Sequence, residues 1–149
     1  MALRLRSDMP EFKNVTEWVN GEVTKEDLQG HPVLVHFWSI SCGVCKQTLP
    51  DVNEWREKYK EHNLKVVGVH MPRSEKDTEI APVKEAIEKY ELIHPQMIDN
   101  THSVVDAFQN EYVPAYYLFD QEGKLRHFQA GEKGLHMVEQ RLKRVLDIK

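Results

Sequence analysis

The chain has 149 residues, 40% of them hydrophobic and 30% charged, with a mean hydropathy of −0.60. A chain this long buries roughly two-thirds of its unfolded surface, so no metal or disulfide staple is needed to hold a core. A net charge of −4 and a pI near 6.1 leave no overall electrostatic case for a nucleic-acid partner. No apolar run approaches a membrane span; the longest, over residues 33–38, is broken by His36. The first ten residues carry Arg4 and Arg6 but no apolar stretch and no small-residue cleavage site, which sets the expectation of a cytoplasmic protein.

No internal repeat, low-complexity tract or linker interrupts the chain, so one domain is expected over residues 1–149. Residues 1–20 read as an irregular lead-in with Phe12, Val15 and Trp18 available to pack. Turn-like residues follow at 21–24 and 30–32. Residues 32–38 are β-branched and aromatic, and an unbroken apolar run suits a central strand covered on both faces. From Cys42 to about His62 the period turns helical, with Leu49, Val52, Trp55 and Tyr59 on one stripe and Pro50 expected to kink it. A second buried strand is expected over 64–70, a polar loop over 71–77, and an amphipathic helix carrying Val83, Ala86, Ile87 and Tyr90. A strand at 95–99 and a short helix at 103–110 come next, with Asp99 or Thr101 near that helix's start. A strand at 115–119, a turn at 120–123 and a strand at 125–129 form a hairpin. The chain closes on a helix with the stripe Leu135, Val138, Leu142, Val145 and Leu146. Alternating strands and helices followed by a hairpin predict an α/β fold: a central mixed sheet with helices on both faces.

The cysteine count carries the chemistry. There are two, Cys42 and Cys45, separated by Gly43 and Val44. A strand, a short loop and then Cys-x-x-Cys opening a helix is a specific context for redox chemistry. Residues three apart at a helix start share a face, so small adjustment brings their sulfurs to bonding distance. Unpaired amides at the helix N-terminus favour an anion, which selects Cys42 as the acidic, attacking thiol. Cys45, one turn further in, is then the more buried, resolving partner, and Gly43 lets the backbone approach a substrate. The competing reading is half of a zinc site, but no second Cys-x-x-Cys and no His pair at ligand spacing follows.

Phe37 and Trp38, then Cys42, Gly43, Cys45 and Lys46, with Pro50 after them and Val113–Pro114 far downstream, resemble the thioredoxin superfamily. An additional helix and strand over about 78–99 is similar to its TlpA/ResA branch. Arg73, residues 112–120 and the lack of a leader resemble the cytosolic YkuV-type thiol-disulfide oxidoreductases. The resemblance implies a thioredoxin-like fold with an inserted helix and strand, and dithiol–disulfide exchange with client proteins. It implies that Pro114 is a cis-proline facing the cysteines, with the Val113 backbone open to an extended partner and Trp38 beside the site. On residue chemistry alone Pro114 would be trans, since only about 5–6% of X–Pro bonds are cis. The sequence departs from the family pattern in three places. His36 stands where thioredoxin has a buried acid, Ser41 replaces an aromatic before the first cysteine, and His70 and Met71 stand where a Glu is often found. His36 is therefore a candidate proton acceptor for Cys45, with a plain hydrogen-bonded sheet histidine as the alternative, and His70 carries a smaller share of the same role.

The expected activity is that of a thiol-disulfide oxidoreductase, a net reductant in the cytosol, needing no cofactor and no metal. Its partners would be disulfide-bearing clients and an electron donor such as a thioredoxin reductase-type system, with no nucleic acid or membrane, and the chain acting as a monomer. Two alternatives stand beside it. One is a peroxiredoxin-like peroxidase, which typically needs Pro and Thr where this chain has Val35 and Ser39. The other is a copper or zinc carrier using Cys42, Cys45 and a histidine.

Overall fold

A computed structural model describes residues 3–148. Within them, six strands form one mixed sheet: β1 (Glu17–Val19), β2 (Val33–Trp38), β3 (Lys65–His70), β4 (Gln96–Ile98), β5 (Ala115–Phe119) and β6 (Leu125–Ala130). Four α-helices cover it: α1 (Gly43–Tyr59), α2 (Ile80–Lys89), α3 (Ser103–Ala107) and α4 (Leu135–Val145). The strand order is β1-β4-β3-β2-β5-β6. The β2–β3 and β3–β4 pairs are parallel, and the hairpin β5–β6 joins β2 antiparallel. The inserted α2 and β4 occupy the span expected for them.

β2 is central because all six of its residues are buried, and only a strand with neighbours on both sides and layers on both faces can hide such a run. Its side chains alternate between two cores. Val33, Val35 and Phe37 face a core shared with Val104, Val105 and Phe108 around α3 and with Met9 and Leu28 of the N-terminal segment. Leu34 faces Val52, Trp55, Val138 and Leu142 of α1 and α4, and Trp38 faces Leu49, Val83 and Ile87 of α1 and α2. Each such fully buried aliphatic or aromatic side chain contributes about 1.5–3 kcal/mol. α1 runs through Pro50. The α3 start is held by Asp99, whose carboxylate accepts from the Val104 and Val105 amides at 3.2 and 2.8 Å.

One expectation changes. The lead-in over residues 1–20 is not irregular throughout: Glu17–Val19 forms the edge strand β1, antiparallel to β4 with Trp18 opposite Met97. Asp8 also bridges Lys124. A three-residue strand is too short for alternation to reveal, and only its partner defines it. Among the described residues, no helix is long and apolar enough to cross a membrane.

Candidate active site

β2 delivers residues 39–41 at the C-terminal edge of its parallel neighbours, and Cys42 follows as the residue capping α1. Cys42 is extended, with φ −101° and ψ 103°, and its Sγ accepts the Cys45 amide N–H at 3.0 Å. The first turn of the helix thus offers the sulfur a donor and the positive end of its dipole. Cys42 and Cys45 are joined as a disulfide with their Cα atoms 5.3 Å apart. Cys42 keeps 5% of its surface exposed and Cys45 none. Gly43 beside them opens to solvent: a Cβ built there meets nothing. Val44 is half-buried against the core that holds both cysteines.

The Val113–Pro114 bond is cis. It lies against the disulfide, with the Val113 carbonyl oxygen 3.9 Å from Cys42 Sγ. Tyr112 beside it is exposed.

Two polar clusters hold the loop before Cys42. The buried Asp77 carboxylate accepts from Ser39 Oγ (3.1 Å), Ser41 Oγ (2.6 Å) and the Arg73 amide (3.0 Å). Because the Ser41 hydroxyl proton goes to Asp77, its oxygen is left to accept from Arg73 Nε at 3.1 Å. Burial pulls the Asp77 pKa upward, but the hydrogen bonds from Ser41, Arg73 and Ser39 outweigh it and the net shift is downward. On the other side, His70 Nε2 accepts the Ile40 amide at 3.1 Å, which leaves the ring proton on Nδ1. Burial pushes the His70 pKa down to about 4, partly offset by the Asp77 charge.

Trp38 occupies the floor. It shares one core cluster with Cys42 and Cys45, meets the edge of His70 at 5.0 Å between centroids, and donates its indole N–H to Gln96 Oε1 at 2.9 Å. His36 points to the same side of the sheet but joins His94, Nε2 to Nε2 at 2.7 Å. Burial, with Arg56 adding to it, pushes its pKa down to about 3.

The structure therefore brings Cys42, Cys45, Gly43, Val44, Trp38, Val113 and Pro114 together. His36 lies within the sheet, hydrogen-bonded to His94. Asp77, His94 and Gln96 escaped the sequence reading, because they reach the site from segments remote from the cysteines along the chain. Asp77 sits in a 3-10 turn of a loop that reads as solvated, and His94 and Gln96 flank the start of a three-residue strand. Among the described residues, no three His, Cys, Asp or Glu side chains are grouped to hold a metal ion.

The model of the AhpC/TSA family matches residues 5–128. The chain is 52% identical over 145 residues to thiol-disulfide oxidoreductase YkuV of Bacillus subtilis (strain 168), covering 97% of each. It is 27% identical over 143 residues to thiol-disulfide oxidoreductase ResA of Bacillus cereus, covering 96% of this chain and 79% of that one. A solution structure of a thioredoxin-like protein in the oxidized form superposes with a TM-score of 0.87 at 50% identity, over 99% of this chain and 100% of the other. On this footing the chain belongs to the AhpC/TSA family of thioredoxin-like proteins, as a thiol-disulfide oxidoreductase.

Proposed function

We propose that this protein reduces disulfides of client proteins in the cytoplasm, with Cys42 as the attacking and Cys45 as the resolving thiol. The observation that carries the assignment is the seat of Cys42: its sulfur caps α1, accepts the Cys45 amide, and is the more exposed of the two. In the reduced enzyme the Cys42 thiolate attacks one sulfur of the client disulfide, forming a mixed disulfide and releasing the first client thiolate. Cys45 then loses its proton and attacks Cys42 Sγ. The second client thiolate leaves, and the enzyme pair holds the disulfide. Two electrons pass from the enzyme dithiol to the client, and a reductase-type donor must restore them.

Val113 and Pro114 form the wall against which an extended client segment lies, with Gly43 and Val44 opposite and Trp38 beneath. His36, with its pKa near 3, is a poor acceptor for a thiol proton at neutral pH. Of the two roles open to it, that of a hydrogen-bonded sheet residue fits its surroundings. Both cysteines of the chain belong to the pair. This suits a reducing compartment, where the resting form is the dithiol and the net direction is reduction.

The test is trapping. Cys45→Ser should accumulate mixed disulfides with a disulfide-bearing protein such as insulin, and Cys42→Ser should not. Accumulation on Cys42→Ser instead would reverse the assignment. The peroxidase and metal-carrier readings separate in the same preparations, since they require peroxide consumption or a copurifying copper or zinc ion without insulin reduction.

A further inference from the structure

Beneath the cysteines lies a buried polar array that the exchange chemistry does not use. Gln96, His94 and His36 are all buried, and they sit where the adjoining cores are apolar. In one row across the sheet His36 pairs with Gly68 and Gly68 with Gln96. Gly68 has no side chain, and the Gln96 amide lies over it.

Donor and acceptor rules orient this array. The indole N–H of Trp38 can only donate, so the group 2.9 Å from it is the amide oxygen of Gln96. The Gln96 Nε2 is thereby turned to His94 Nε2 at 2.8 Å, where His36 Nε2 also arrives at 2.7 Å. On the far side Arg56 Nη1 approaches His94 Nδ1 at 3.1 Å. A neutral His94 meets one donor with a donor whichever nitrogen bears its proton, and a protonated His94 meets two. With its proton on Nδ1, His94 accepts from Gln96 Nε2 through its free Nε2, and that bond keeps the amide oxygen turned to Trp38.

We propose that Gln96 is a positioning residue for the thiol-disulfide reaction: braced by His94, it locks the Trp38 indole as a rigid floor under the Cys42–Cys45 pair. Leaving a buried indole N–H unpaired carries a penalty, so without Gln96 the ring turns to find another partner. The cysteines packed in the same cluster then lose their fixed seat.

The experiment compares Gln96→Met, which keeps shape and removes the amide, with Trp38→Phe, which removes the donor, and with the double variant. The readouts are the rate constant of the reduced enzyme with insulin disulfide and the equilibrium constant of the pair against glutathione. Each single variant should lower the rate constant about five- to tenfold, and the double should be no slower than the slower single. Gln96→Glu, which restores an acceptor for the indole, should return to within twofold of the native rate. The proposal is overturned if Gln96→Met stays within twofold of native in both readouts, if the two single effects multiply in the double variant, or if Gln96→Glu is as slow as Gln96→Met. If Gln96→Met does not fold, Trp38→Phe decides in its place: a rate five- to tenfold below native with Gln96→Glu near native supports the proposal, and a Trp38→Phe rate within twofold of native overturns it. The inference rests on the exchange reading, whose own failure would appear differently, as absent turnover in the native chain.

Discussion

Gly68→Ala perturbs this buried array from behind. Gly68 lies in β3 between His36 of β2 and Gln96 of β4, and a Cβ there would overlap the Gln96 amide, with Cδ only 2.5 Å away. The surrounding strands are fully paired and cannot retreat, so the Gln96 side chain must. Forcing an extra methyl into a packed core costs about 1–3 kcal/mol. Displacing Gln96 also leaves the Trp38 indole N–H unpaired, for about 1–3 kcal/mol more. The better backbone entropy of Ala over Gly offsets about 0.5–1 kcal/mol of this. Taken at their midpoints these leave a net loss of about 3 kcal/mol, a large share of the roughly 5–15 kcal/mol typical of a domain. Equilibrium urea unfolding of the oxidised protein at constant m-value measures it, and the midpoint of thermal unfolding should fall by about 5–15 °C. Adding Gln96→Ala removes the overlapping group, so the double variant should lose at least about 1 kcal/mol less than the sum of the singles. A Gly68→Ala protein within about 1 kcal/mol of native, or strict additivity in the pair, refutes the steric reasoning.

Three further outcomes follow from the site. In the reduced protein Cys42 should titrate below the roughly 8.5 of a free thiol, read as thiolate absorbance against pH; a value at or above that figure removes the basis for its attacking role. His36 has a folded pKa near 3 against 6.5 unfolded. The unfolded chain therefore binds more protons between these values, and stability present above pH 6.5 is lost as the pH falls. Replacing His36 by Gln should remove about one proton from the linkage, lowering the slope of stability between pH 4.5 and 6 by about 1.4 kcal/mol per pH unit. An unchanged slope in urea melts contradicts this, and the pH profile of Cys45 resolution should not move. Asp77→Asn weakens the common acceptor of Ser39, Ser41 and the Arg73 amide. It should cost about 1–3 kcal/mol in denaturant unfolding, and a loss of a few tenths would show that the loop does not depend on it.

Much of the molecule was legible before any coordinates. Continuous burial makes a run such as 33–38 a central strand, and a 3.6-residue stripe such as Leu135, Val138 and Leu142 a helix, because local periodicity and core-facing geometry are the same constraint. The cysteine pair was legible for a related reason: its three-residue spacing and its place at a helix start are local facts. The strand Glu17–Val19 was not, because three residues carry no period and exist as a strand only through β4.

Tertiary structure alone decided what surrounds the sulfurs. Asp77, His70, Gln96 and Val113 come from four separate stretches, and no spacing along the chain encodes that they meet Ser41, Ile40, Trp38 and Cys42. His36 makes the point most clearly. Its position in the strand marked it as a candidate acceptor for a proton, yet its protonation depends on burial and on Arg56, a residue twenty positions away along the chain. A residue's identity and the local period are properties of the chain. Desolvation and the arrangement of donors around a group depend on everything packed against it, and only the assembled fold sets them.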